Sequence, residues 1–266
     1  MPGVREGVAA PPPGVLILHV PHASTAVPPD VRRRLLLDDA ELADELRLMT
    51  DSYVDELFAL PADEAVTITY PVSRLVCDPE RFEDDAREPM SRIGMGVIYT
   101  ATHDGRRYGL RQTPGEAERE GLLDRFYRPH HARLTVAVEA ELRDRGHCLI
   151  VDAHSFPSLP LPYELDQARE RPDICLGTDD VHTPPSLLRA AEAAFLARFV
   201  GVAHNRPFAG ALVPAAFLNR DHRVSSIMVE VNRGLYMDEG TGDRLPGFAT
   251  VACLVQEAVR ELVDVA

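Results

Sequence analysis

No two of the four cysteines form a Cys-x-x-Cys pair. Cys77, Cys148, Cys175 and Cys253 are scattered along the chain. That spacing argues against a thiolate zinc knuckle and suits a reducing cytosol. No apolar run approaches the roughly 20 residues of a membrane span. No long apolar segment follows a basic N-terminus, so neither a signal peptide nor a transmembrane helix is expected. Positive charge is also scarce: Lys+Arg number 28 against 42 Asp+Glu, for a formal net charge of −14. Nucleic acids and anionic membranes are poor partners for such a chain, because phosphate contact needs surplus cations. A small anionic substrate remains possible where arginines cluster. Several catalytic signatures are missing as well. There is no GxSxG elbow, no GxxxxGK[ST] loop, no Rossmann glycine set and no HExxH.

What is present fits an α/β protein. The chain has 266 residues, 45% of them hydrophobic, with 17 Gly and 22 Pro. This is enough for one large domain or two small ones, with many turns but no low-complexity character. Residues 1–13 end in Pro11-Pro12-Pro13 and read as a disordered or extended lead-in. Residues 14–266 read as a single domain, with no internal repeat and no linker. Expected strands are 15–20, 65–70, 71–81, 94–100, 148–155, 173–178, 200–204 and 225–233. Expected helices are 30–34, 38–48, 50–58, 116–124, 125–145, 185–199 and 248–265. Their alternation argues for a mostly parallel sheet. Residues 159–171 form a Pro-rich loop long enough to suggest a lid or binding loop.

The central stretch is Cys148-Leu149-Ile150-Val151-Asp152-Ala153-His154-Ser155. An uncharged run ending in polar residues reads as a buried parallel strand with a reactive C-terminal edge. Asp152 and His154 are two apart, so they share a face. The bland reading is a hydrogen-bonded core histidine. Other strand ends repeat the pattern. His22 follows the first strand, Asp51 opens a helix, and Glu230 lies near the end of the late strand. Two imidazoles and a carboxylate form a catalytic zinc set with one position left for water. A further carboxylate outside that set can move the water's proton. Each residue also has a structural alternative. Asp51 can cap its helix, Glu230 can pair with Arg233 or Arg74, and His131 can be an ordinary helix histidine. His19, inside the first strand, reads as packed or hydrogen-bonded.

The ordered segments resemble the N-formylglutamate amidohydrolases. They are Val20-Pro21-His22-Ala23-Ser24, the stretch from Thr50 to Phe58, Ser73-Arg74-Leu75-Val76-Cys77-Asp78-Pro79-Glu80-Arg81, and Tyr127 to Leu134. Further on come Asp152-Ala153-His154-Ser155, Asn205-Arg206-Pro207-Phe208-Ala209-Gly210, and Val229 to Met237. The resemblance implies a three-layer αβα sandwich with a mostly parallel, mixed central sheet, as in zinc carboxypeptidases. It implies one Zn2+ per chain, held by His22, Asp51 and His154, with Glu230 as general base. Arg74 and Arg81 would polarise the scissile carbonyl and grip a substrate carboxylate, with Asn232 and Arg233 also at the substrate. The implied reaction is cleavage of an N-formyl or N-acyl amino acid, foremost N-formyl-L-glutamate to glutamate and formate, in the cytoplasm. The alternatives are another N-acyl amino acid or short peptide, or a non-catalytic binding protein on the same fold. Two features depart from the pattern. His22 and Asp51 lie 29 positions apart, far wider than the matching carboxypeptidase pair. Gly210-Ala211-Leu212 replaces a Gly-Gly-Tyr type stretch.

Overall fold

Leu16–Val20 (β1) is a run of five buried residues, and it starts the sheet. The computed structural model describes residues 16–263 and residue 265, so the expected lead-in at 1–13 lies outside the described residues. The other strands are β2 (Ala65–Thr69), β3 (Cys148–Phe156), β4 (Ile174–Gly177), β5 (Val202–His204) and β6 (Val224–Asn232). They form one sheet in the order β2-β1-β3-β6-β4-β5. All neighbours run parallel except β4 and β6, which are antiparallel. The sheet is thus mixed and mostly parallel, as the strand pattern and the resemblance both imply. β3 and β6 are nine residues each and buried throughout, the signature of strands covered on both faces.

Strand periodicity sorts the side chains. Leu16, Leu18, Val151, Ala153, Ile227 and Val229 pack with residues of α3 (Val54–Leu57), α6 (Pro185–Leu196) and α7 (Phe248–Arg260). Ile17, Cys148, Ile150 and Val224 pack on the opposite face with Leu134 and Val138 of α5 (Arg128–Arg145). Helices therefore cover both faces of the sheet, giving three layers. The polar residues His19, Asp152, His154 and Glu230 continue the α5-side rows toward the strand ends. The remaining helices are α1 (Pro29–Arg32), α2 (Asp39–Met49) and α4 (Glu116–Leu122). α2 starts with a capping box, in which Asp38 accepts from the Glu41 amide and Glu41 accepts from the Asp38 amide.

Two expected strands are corrected by the structure. Residues 71–81 form turns rather than a strand. The Val76 amide donates to the Ser73 carbonyl at 2.8 Å, and the Leu75 amide donates to Ser73 Oγ at 3.1 Å. These local bonds compete with a ladder, while Leu75, Val76 and Cys77 are fully buried as a packed loop. Apolar content alone cannot separate a buried coil from a buried strand. Residues 94–100 are also coil. Gly94, at φ +86°, accepts the Thr100 amide at 2.7 Å and the Ala101 amide at 3.1 Å. A side chain there would collide with Thr100 Oγ1 at 2.7 Å, so the loop closes only around glycine. The helix expected over 50–58 shortens to α3, after Tyr53 at φ +66°.

All four cysteines are free. Burial pushes the thiols of Cys77, Cys148 and Cys175 up to about 12. The ordinary thiol value is about 9, so between about pH 9 and 12 the folded chain holds protons that the unfolded chain has lost. Stability contributed by these groups is complete below pH 9 and falls as pH rises, by up to about 1.4 kcal/mol per pH unit per thiol. Urea unfolding measured from pH 8 to 11 should show the midpoint falling through this range. A flat midpoint would contradict the burial of these thiols.

Candidate active site

The site lies where β1, β3 and β6 end on the α5 side of the sheet, the edge at which open α/β sheets place ligands. Register sets its residues side by side: His19 is paired with Asp152, and His154 with Glu230. The Asp51 amide donates to the His22 carbonyl at 3.0 Å, which brings two residues far apart in sequence together. A cavity of about 430 Å³ opens here, lined by His22, Asp51, Arg74, Arg81, His154, Glu230 and Arg233 among others. Most of the site residues expected from the sequence thus converge. Asn232 does not line it. Its side-chain Nδ2 donates to the Pro172 carbonyl at 3.0 Å, and its Oδ1 accepts the Gly234 amide at 3.0 Å, so the side chain ties the turn that ends β6 to the segment before β4.

The imidazoles are held from behind. His22 Nε2 donates to Asp78 Oδ1 at 2.9 Å, leaving His22 Nδ1 buried with no hydrogen-bond partner. His154 Nδ1 donates to Asp51 Oδ2 at 3.0 Å. Its Nε2 faces Glu80 Oε2 at 3.1 Å and Asp152 Oδ1 at 3.2 Å. Glu80 is the carboxylate that gathers with both imidazoles, each residue offering a ligand atom within 4.8 Å of the others. Its Oε1 is buried without a partner. Asp51 lies as near to His22 Nδ1 as Glu80 does, since Glu80 Oε2 is 3.9 Å from that atom, but the Asp51 oxygens are already engaged. Its Oδ2 lies 3.7 Å from His22 Nδ1 and accepts the Ser155 amide at 3.3 Å, and its Oδ1 accepts from Arg233 Nη2 at 2.9 Å.

These contacts set the charges. Burial works against ionised Asp51, but the hydrogen bond from His154 and the nearby His22 and Arg233 hold it well below the usual carboxylate range. Burial is likewise outweighed at Asp78 by His22 and Arg74, and at Asp152 by His154 and His19; both stay well below that range. Burial disfavours a charged His154, yet Glu80 and Asp152 raise it well above the usual imidazole range. Glu230 goes the other way. Burial, with Asp51 and Glu80 nearby, raises it to about 8, and its Oε2 has no partner.

A cation fits this arrangement on three grounds. His22 Nδ1 is a buried ligand atom without a hydrogen-bond partner, and Glu80 turns Oε2 toward both imidazoles, 3.1 Å from His154 Nε2 and 3.9 Å from His22 Nδ1. Each inward imidazole nitrogen has its opposite nitrogen fixed by a carboxylate, which is how proteins orient metal-bound histidine. Five carboxylates (Asp51, Asp78, Glu80, Asp152, Glu230) and three guanidiniums (Arg74, Arg81, Arg233) surround the imidazoles, and the carboxylates that favour a proton on His154 would favour a divalent cation in its place.

The arginines differ in what they have left to offer. Arg233 is fully engaged, donating to Leu48, Asp51 and Ser155. Arg74 donates Nε and Nη2 to Asp78 Oδ2 at 3.3 and 3.1 Å, and its Nη1 lies 4.0 Å from Asp51. Arg81 is the least committed. Its Nη2 reaches Tyr99 Oη at 3.5 Å, and its Nε, 3.6 Å from Asp78 Oδ2, has no hydrogen-bond partner.

His19, read from the sequence as packed or hydrogen-bonded, anchors an outer frame whose other members sequence reasoning did not assemble. His19 Nδ1 donates to Asp152 Oδ1 at 2.8 Å, and His19 Nε2 meets His130 Nε2 at 2.8 Å. Burial and His19 push His130 down to about 2, so it stays neutral. His131 Nε2 donates to the Pro79 carbonyl at 2.8 Å, steadying the loop between Asp78 and Glu80. Tyr99 Oη donates to Asp78 Oδ2 at 2.5 Å. The only sequence signal for Glu80 and Asp78 is their place in the Asp78-Pro79-Glu80-Arg81 run, which carries the resemblance without a role for either.

The profile of the N-formylglutamate amidohydrolase family matches residues 14–237. None of the curated proteins matches. Among solved structures, the N-formylglutamate amidohydrolase from Ralstonia eutropha JMP134 aligns at TM-score 0.77 and 26% identity, over 96% of this chain and 96% of that one. Gene product Atu2144 from Agrobacterium tumefaciens shares the fold, at TM-score 0.61 and 21% identity over 95% and 91% of the two chains. The matched span carries β1, β3 and β6, and so every residue that lines up around His22 and His154. As the sequence resemblance implied, the chain is an amidohydrolase and belongs to the N-formylglutamate amidohydrolase family.

Proposed function

We propose that this enzyme cleaves the amide of an N-acyl amino acid, foremost N-formyl-L-glutamate, and that it holds one zinc-type cation at His22, His154 and Glu80. The observation that carries the reading is the partnerless His22 Nδ1, gathered with His154 and Glu80 in the same cavity as Glu230. In this reading Asp51 orients His154 and stands outside the ligand set. When bound, the cation supplies Lewis-acid polarisation of the acyl carbonyl and makes a nearby water more acidic.

The chain's own residues do the rest. Glu230 removes a proton from water as the oxygen bonds to the acyl carbon. It then gives that proton to the amine nitrogen as the C–N bond breaks. Burial raises Glu230 above the ordinary carboxylate value, toward the range in which one group can both take up and return a proton. Arg81, with its open Nε, and Arg74 receive the substrate carboxylates. A cytoplasmic setting accords with the free cysteines, and no helix among the described residues is long and apolar enough to cross a membrane.

Amine release from N-formyl-L-glutamate and from an N-formyl neutral amino acid tests the substrate. The dicarboxylate should be preferred at least tenfold in kcat/KM. Arg81→Leu should raise KM about ten- to hundredfold, the value of a charge-assisted hydrogen bond, with a smaller change in kcat. Equal rates on both substrates would discard N-formyl-L-glutamate as the substrate.

A further inference from the structure

A second cleft, about 540 Å³, lies away from the catalytic cavity between α1 and α4. Four arginines line it (Arg33, Arg34, Arg111 and Arg125) against two acids, Asp30 and Glu118. On a chain of net charge −14, this is a cationic island. Both acids are already engaged. Asp30 accepts from Arg125 Nη1 at 2.5 Å, and Glu118 lies 3.7 Å from Arg34. Arg111 is 2% exposed. Its Nη2 donates to the Leu75 carbonyl, which fixes the group in place. Its Nε and Nη1 have no hydrogen-bond partner among the described residues. Burial lowers its pKa to about 10, with only partial relief from Glu118. Exposed Arg33 forms no ion pair among the described residues.

A guanidinium buried with two open donors is unfavourable unless something accepts from it. Its planar fork suits an oxyanion with several acceptor atoms. We propose that this cleft binds a phosphate group, with Arg111 as the buried anchor and Arg33 as the outer contact. The site is separate from the catalytic cavity and shares no lining residue with it.

Calorimetric titration of the full chain with inorganic phosphate tests this, against potassium chloride at matched ionic strength. One saturable phosphate per chain is expected. Arg111→Met should weaken it at least tenfold. Arg33→Ala changes an exposed residue without partners, so its fold is safe, and it should also weaken binding severalfold. Arg81→Leu, in the catalytic cavity, should leave phosphate affinity unchanged. Absence of saturable binding, or unaltered affinity in Arg33→Ala or in Arg111→Met, overturns the proposal. So does loss of binding in Arg81→Leu alone, which would place the anion in the catalytic cavity. None of these readouts depends on turnover, so the cleft and the proposed reaction stand or fall separately.

Discussion

Replacing Glu230 with Gln should lower kcat by about 10²- to 10⁴-fold, the usual contribution of a positioned general base, while metal content stays at the wild-type level. The substitution is nearly isosteric and keeps a polar group at a position 6% exposed. It removes only the capacity to take up and return a proton. Glu230 is absent from the group of ligand atoms formed by His22, Glu80 and His154, so cation binding has no reason to change. The fold should hold as well, because burial already opposes the charged form of Glu230 and a neutral amide avoids that penalty. Steady-state kinetics alongside metal analysis decides the matter. A Glu230→Gln enzyme turning over near the normal rate would remove Glu230 from the proton pathway.

The second large effect separates Glu80 from Asp51. With Glu80 as a ligand, Glu80→Ala should strip the cation under mild chelation, as should His154→Ala. Asp51→Asn should weaken cation affinity by about 10- to 100-fold, the typical loss for a residue that orients a ligand. The geometry supports this ranking. Asp51 already accepts from His154, Ser155 and Arg233, whereas Glu80 Oε1 accepts from nothing. Competition with a chromogenic chelator measures both variants. The opposite ranking, a near-normal Glu80→Ala beside a metal-free Asp51→Asn, would return Asp51 to the coordination shell expected from the sequence.

Much of the site was legible because strand ends announce themselves. His22 and His154 each follow an apolar run, and Glu230 sits near the end of another, so position along a strand was enough to nominate them. Their convergence follows from parallel pairing, which places the carboxyl ends of β1, β3 and β6 on one edge. Glu80 had no such marker. It lies on a loop whose apolar residues read as a strand. The path of that loop is fixed by remote groups: the Asp78 amide donates to the Val97 carbonyl at 2.8 Å, and His131 holds the Pro79 carbonyl. Asn232 misled for the opposite reason. Its place at a strand end suggested a site role, but the adjacent turn holds one end of its amide through Gly234 and the distant Pro172 carbonyl holds the other.

By itself the sequence determined the alternation of strands and helices, and with it the mostly parallel sheet, and it nominated residues at the strand ends. Hydrophobic periodicity and strand polarity are local properties, and they are written in consecutive residues. Only the tertiary structure decided which carboxylate joins the imidazoles and which stands behind them. It also decided which arginine keeps a free donor and which is already engaged. Those distinctions depend on where the nitrogens and oxygens of distant segments point after packing, and no spacing along the chain encodes that direction.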